Sequence, residues 1–124
     1  MDVNIVRSYM DRSDDRGRMV GIVNSGHWRE ANYVETKAGR VRGGHYHKDT
    51  HELVFIVSGA VEVELRSVHD ADDVATLSLG PGEGLRVDPY VLHTMRYTRD
   101  TVHVSLLDRP FDPDQPDLHL PGAD

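Results

Sequence analysis

The sequence predicts an all-β domain, a sandwich or a barrel, from three observations. Short runs rich in Val, Ile, Thr, Tyr and Leu are punctuated by Gly, Pro, Asp and Asn along the chain. No long stretch repeats its apolar residues with the period of a helix. At 124 residues, 38% of them hydrophobic, the chain has material for one core and not for two.

Strands are expected over 3–7, 18–24, 31–38, 40–47, 52–57, 60–68, 74–79, 84–88, 92–98 and 101–107. The first carries Val3, Ile5 and Val6, and the second Met19, Val20, Ile22 and Val23. The third and fourth set Tyr33, Val34, Val41 and Tyr46 among charged and small neighbours. Run 52–57 differs: Glu52-Leu53-Val54-Phe55-Ile56-Val57 is apolar on both faces after its first residue. A half-exposed strand would alternate, so both faces are expected to be covered, one by the barrel interior and one by a further layer. A second subunit is the candidate for that layer, and a homodimer is expected. Ser58-Gly59 reads as a tight turn into the next strand, and Asp70-Ala71-Asp72-Asp73 as the tip of a polar hairpin. Gly80-Pro81-Gly82 is a loop. Pro110, Pro113, Pro116 and Pro121, four of the six prolines, fall in the last stretch. The expected layout is a barrel with its N-terminal strands over 1–107 and an extended, Pro-rich tail over 108–124, laid across the barrel or a partner.

The net charge of −7 argues against a general nucleic-acid binder and against attraction to anionic membranes. It leaves room for a phosphorylated substrate, which a local Arg cluster can hold. With no cysteine, disulfides, thiolate ligands and a thiol nucleophile are excluded. The start Met1-Asp2-Val3-Asn4-Ile5 lacks a basic and then apolar leader, and no apolar run approaches the ~20 residues that span a bilayer. A cytoplasmic protein is expected.

The chemistry concentrates between Gly39 and Gly59, which read Gly-x5-His-x-His-x4-Glu-x6-Gly with His45, His47 and Glu52 at the centre. A second stretch, Gly82-x5-Asp-Pro-x3-His, ends at His93. Side chains two apart on a strand share a face, so His45 and His47 project together and Tyr46 points away. Glu52 opens the next strand; if the two strands pair as a hairpin, its carboxylate reaches the same side. His93 then closes the site from a remote strand. Three imidazoles and one carboxylate suit Fe(II), Mn, Ni, Cu or Zn and leave positions open for water or substrate. With eight histidines in the chain, a His-x-His pair alone means little; the combined spacing means much more. His51 could replace Glu52 through a one-residue register shift. Glu52 is preferred because it shares the interior face with Val54 and Ile56. His103 is expected to be exposed, and His27, His69 and His119 to be solvated.

These residues resemble the cupin superfamily, RmlC-like, over about residues 36–107. The first motif is matched from Gly39 through His45, His47 and Glu52 to Gly59, and the second at Gly82, Pro89 and His93. Asp88 stands where the second motif has its first proline, and Tyr97 where many members have Asn. The resemblance implies a small double-stranded β-helix, a cupin or jelly-roll barrel of one domain, commonly dimeric, with a metal inside. Three stretches are similar to the sugar-nucleotide cupins of surface-polysaccharide and deoxysugar pathways. They are Asp15-Arg16-Gly17, then Arg42-Gly43-Gly44-His45-Tyr46-His47-Lys48, then Phe111-Asp112-Pro113-Asp114-Gln115-Pro116-Asp117. The last looks like the ending of the cupin domain in bifunctional capsular sugar-nucleotide reductases. In those enzymes the resemblance implies a zinc-bearing cupin that epimerises a 4-keto sugar nucleotide. In the related 3,4-ketoisomerases it implies a His pair working as acid and base without metal. Glu52, where ketoisomerases tend to have Gln, favours the metal version.

The expected activity is isomerisation or epimerisation of a small carbonyl-bearing metabolite, a keto sugar or sugar nucleotide first. The expected cofactor is one divalent ion per chain, zinc, nickel, manganese or iron, held by His45, His47, Glu52 and His93. An oxygen-using dioxygenase with iron, and a ligand-binding cupin without catalysis, remain alternatives. Candidates for proton transfer are Tyr97, in phase with His93 and Met95, then Tyr33 and the non-ligating His51; Tyr97 also reads as a core aromatic. Arg40, Arg42, Lys48, Arg86 and Arg96 could supply positive charge for a phosphate, although Arg40 and Arg42 should face away from the interior.

Overall fold

Apolar and polar residues alternate along much of the chain, and the backbone follows that period of two. The structure, a computed structural model, describes residues 1–122. Among the described residues eleven strands form: β1 (Asn4–Arg7), β2 (Met10–Asp14), β3 (Gly17–Gly21), β4 (Glu30–Thr36), β5 (Val41–His45), β6 (Glu52–Ser58), β7 (Val61–Ser67), β8 (Val74–Leu79), β9 (Glu83–Val87), β10 (Val91–Tyr97) and β11 (Thr101–Leu107). There is no helix among the described residues, and hence none long and apolar enough to cross a membrane. One sheet runs β1-β9-β6-β11-β4 and the other β5-β10-β7-β8, all antiparallel; β2 and β3 make a separate hairpin.

The two sheets close on one apolar core. Val54 and Ile56 of β6 and Leu85 and Val87 of β9 meet Val61, Val63 and Leu65 of β7, Leu79 of β8 and Met95 and Tyr97 of β10. Each such aliphatic side chain contributes about 1.5–3 kcal/mol by leaving water.

Two expectations are corrected. The strand β2 is absent from the sequence reading because Met-Asp-Arg-Ser-Asp carries no apolar alternation. Its hairpin is instead held by backbone pairing and by ion pairs, Arg18 to Asp11 at 2.7 Å and Arg16 to Asp14 at 2.6 Å. The strand expected over 18–24 starts one residue earlier and stops at Gly21, where the Tyr9 ring lies against the backbone and leaves no room for a Cβ. Ser58-Gly59 does turn from β6 into β7, and the turn carries the chain from one sheet to the other. Gly59, at φ +96°, lies so close to Asp100 and Thr101 that a side chain would collide with them. Leu53 and Phe55, on the outer face of β6, are buried within the chain, so that face is covered there as expected. Val57 on the same face stays exposed.

The tail doubles back on the barrel as an extended segment. Tyr46 and His119 exchange backbone hydrogen bonds of 3.0 Å each way, and the Phe111 N–H donates to Glu30. The last two residues of the expected tail lie outside the described residues.

Candidate functional site

The site begins with two glycines. Gly43 and Gly44 have φ of +89° and +73°, a left-handed backbone that other residues rarely adopt. They insert an extra residue where β5 pairs with β10, a bulge between His93 and Thr94. A Cβ on Gly43 would sit 2.5 Å from the His93 carbonyl. The bulge sets His45 opposite His93 in the ladder. His47 follows two residues on, just past the strand. Glu52 arrives from the other sheet as the first residue of β6.

One ligand atom from each of His45, His47, Glu52 and His93 lies within 4.8 Å of the others. Ring centroids are 4.7 Å apart for His45 and His93, 5.2 Å for His45 and His47, and 5.3 Å for His47 and His93. His47 and His93 are buried, and Glu52 is nearly so. The hairpin imagined for His47 and Glu52 is not how they meet: β5 and β6 belong to opposite sheets, and the carboxylate faces the imidazoles across the barrel. His93, remote in sequence, is the direct neighbour of His45 in its own sheet.

Backbone carbonyls fix the rings. The His47 Nδ1–H donates to the Asp117 carbonyl at 2.9 Å, and the His93 Nδ1–H to the Val91 carbonyl at 3.1 Å. A carbonyl only accepts, so both rings turn Nε2 toward the cluster. Those nitrogens stand 3.1 Å and 3.6 Å from Glu52 Oε1. Two lone-pair nitrogens this close to a carboxylate call for a shared positive charge, a proton or a cation. Three imidazoles and a carboxylate therefore fit a divalent ion.

The electrostatics agree. Burial, then the neighbouring His93 and His47, push the His45 pKa down to about 4. Burial also lowers His93. Burial opposes charge on His47 as well, but its bonds to Glu52 and to the Asp117 carbonyl prevail and raise it. Burial alone would raise Glu52; the His47 bond and the surrounding imidazoles hold it below its ordinary value. Both shifts run in the direction of a charged carboxylate on Glu52 and a proton on His47.

A cavity of about 770 Å³ opens onto His47 and Glu52. Asn32, Val34, Ser105 and Leu107 line one wall, and the tail forms another with Phe111, Pro116, Asp117 and Leu118. Arg29, Lys48 and Arg109 stand around it, Arg109 lying 3.5 Å from Asp49. Of the basic residues singled out from sequence, only Lys48 lines this cavity. Arg42 instead donates to Thr36 and to the Glu35 carbonyl, Arg86 pairs with Asp88, and Arg96 faces a separate surface depression. Arg29 and Arg109 escaped sequence reading because they flank strands; Leu107 pairs with Glu30, which brings the two flanks together.

The remaining candidates scatter. Tyr97 points inward and is fully buried; its hydroxyl is 3.3 Å from His103 Nδ1, and burial pushes its pKa up to about 12. His103 is buried, against the expectation of exposure, because the inward positions of β11 are Thr101, His103 and Ser105. Tyr33 is 68% exposed on the outer face of β4, away from the cluster. His51 bonds Asp108 at 2.9 Å and lines neither the cluster nor the cavity. His119 is half-buried rather than solvated, bonded to Asp117 and lying against Tyr46. Asp117 was missed altogether, since nothing distinguishes it from the other acids of the tail.

Comparison with known proteins places the chain. In fold it matches QdtA, a sugar 3,4-ketoisomerase from Thermoanaerobacterium thermosaccharolyticum solved in complex with TDP, at a TM-score of 0.76 and 22% identity over 94% of this chain and 85% of that one. The capsular polysaccharide assembling protein CapF from Staphylococcus aureus matches at 0.69 and 24% identity; 90% of this chain is covered, but only 33% of CapF. A dTDP-4-dehydrorhamnose 3,5-epimerase from Sulfolobus tokodaii matches at 0.75 and 15% identity, over 89% of this chain and 72% of the epimerase. No curated protein matches the sequence. The profile of the polysaccharide biosynthesis C-terminal domain matches residues 12–119. With that match spanning most of its length, and with the fold of the RmlC-like cupins, this chain belongs to the polysaccharide biosynthesis C-terminal domain family.

Proposed function

We propose that the protein isomerises or epimerises a keto sugar carried on a nucleoside diphosphate. The observation that carries this reading is the His45, His47, His93 and Glu52 cluster at the end of a cavity large enough for a sugar. The neighbours support the substrate class: one structure of QdtA holds TDP-4-keto-6-deoxyglucose. Arg29, Lys48 and Arg109 offer positive charge for a diphosphate, and Asn32 and Ser105 offer polar groups for sugar hydroxyls.

In such a reaction the C–H bond beside the ketone breaks, and its electron pair moves toward the carbonyl oxygen to give an enediol. Protonation of the former carbonyl carbon, with the neighbouring hydroxyl giving up its proton to become the new carbonyl, moves the ketone; protonation of the carbon that lost its proton, on the opposite face, inverts that carbon. His45, His47, His93 and Glu52 would hold one divalent ion, which supplies a Lewis acid for the ketone oxygen when bound. The chain's own contribution is to orient the sugar and exclude water along the apolar wall of Val34 and Leu107. The opposed pKa shifts of His45 and His47 support a second version. In it His47, backed by Glu52, carries a proton to and from the sugar while His45 stays neutral.

The test is proton exchange in D2O, followed by NMR, with TDP-4-keto-6-deoxyglucose as substrate. Deuterium should enter beside the ketone with the wild type and not with the His45→Ala/His47→Ala protein. Stripping metal with a chelator should stop exchange if the first version holds and spare it if the second does. No exchange with either the metal-loaded or the stripped wild type overturns the isomerase reading for this sugar.

A further inference from the structure

The tail reaches His47 through Asp117, and the touch is more elaborate than a wall contact. Asp117 Oδ1 accepts from the Lys48 N–H at 2.8 Å and lies 3.0 Å from His119 Nε2. Its Oδ2 accepts from the Asp49 N–H at 3.0 Å, the Thr50 N–H at 2.9 Å and the Thr50 hydroxyl at 2.7 Å. One carboxylate thus gathers three successive backbone donors of the turn that joins His47 to Glu52. The same residue's carbonyl accepts the His47 Nδ1–H at 2.9 Å. Both bonds come from one residue because Asp117 has φ +50°, a left-handed backbone uncommon outside glycine. On the other side of His47, Tyr46 is pinned to His119 through two backbone bonds.

We propose that Asp117 is a positioning residue for His47. Its carboxylate clasps the 48–50 turn, and its carbonyl dictates which ring nitrogen of His47 faces the site. A clasp alone would need only the carboxylate. The left-handed backbone adds the carbonyl, and that bond orients a ring and selects a tautomer. The inference rests on the reading of His47 as a site residue, and makes the C-terminal segment part of the site although it carries no ligand itself. Partners of this kind typically change metal affinity by about 10–100-fold when removed.

The experiment uses the full chain without metal, and long-range 1H–15N NMR of the His47 ring at a pH high enough to leave it neutral. Zinc affinity is then measured by calorimetry. The wild type should show a single tautomer with the proton on Nδ1. Asp117→Ala should show a mixture of tautomers and bind zinc about 10–100-fold more weakly. Val63→Ala, a core substitution that lowers thermal stability without touching the site, should move neither readout. A single Nδ1–H tautomer in Asp117→Ala, with zinc affinity equal to that of Val63→Ala, overturns the proposal. If Asp117→Ala fails to fold, Thr50→Val removes one donor of the clasp; it should shift both readouts in the same direction by less, and no shift refutes the proposal. If the wild type binds no zinc, the metal version of the function falls, while the tautomer still decides the role of Asp117.

Discussion

Two polar clusters lie inside this barrel, and they are built on opposite principles. Around Tyr97, donors meet acceptors: the Arg42 Nε–H donates to Thr36 Oγ1 at 2.7 Å, and the Tyr97 hydroxyl stands 3.3 Å from a buried His103. Around Glu52, acceptors meet acceptors: Nε2 of His47 and of His93 both face its Oε1, with His45 alongside. The first cluster is complete as it stands. The second is complete only when a proton or a cation enters. A buried polar group without a partner is costly, so a set of converging lone pairs persists where something positive is to be held. The difference separates a polar cluster satisfied within the fold from one that needs an added proton or cation.

The largest expected effect comes from removing the proposed ligands. His45→Ala/His47→Ala should abolish metal retention, measured by elemental analysis of protein purified without chelators or tag metal. Unchanged metal content would erase the distinction between the clusters.

An intermediate effect should appear in pH. The His45 pKa drops from 6.5 to about 4 on folding. Between those values the unfolded chain binds a proton that the folded chain refuses, so stability rises with pH there. The metal-free protein should therefore lose thermal stability as the pH falls from about 6.5 toward about 4. His45→Gln should flatten that slope, and a slope unchanged by the substitution would place the titration elsewhere. Bound metal should steepen the loss, because protons compete for the same nitrogens.

The smallest effect belongs to the complete cluster. Tyr97→Phe keeps the ring and removes one bond, at a cost of about 0.5–1.5 kcal/mol. A fall of a few degrees in Tm with unchanged metal content would sharpen the contrast; lost metal would join the two clusters into one network.

Much of the site was legible because it is local. His45 and His47 share a face through the period of two, and Glu52 follows a short turn. The same brevity misled the reading of that turn, since a five-residue step joins partners in a hairpin as readily as it crosses between sheets. His103 misled in another way. Val102, Val104 and Leu106, its out-of-phase neighbours, are themselves half-buried, so alternation carried no direction along β11. The tail left no pattern at all. Asp112, Asp114 and Asp117 are alike in sequence, and only the left-handed turn at Asp117 aims both its carbonyl and its carboxylate at one loop.

By itself, then, the sequence determined the β class, most strand positions, and the donor types at the centre, because these depend on residue chemistry and on a repeat of two. The tertiary structure alone decided that Glu52 reaches the imidazoles from the opposite sheet, that Arg29 and Arg109 share the cavity, and that the tail holds His47. Each of these depends on which strands pair across long loops. That choice is made by the closing of the whole core, and no short window of residues contains it.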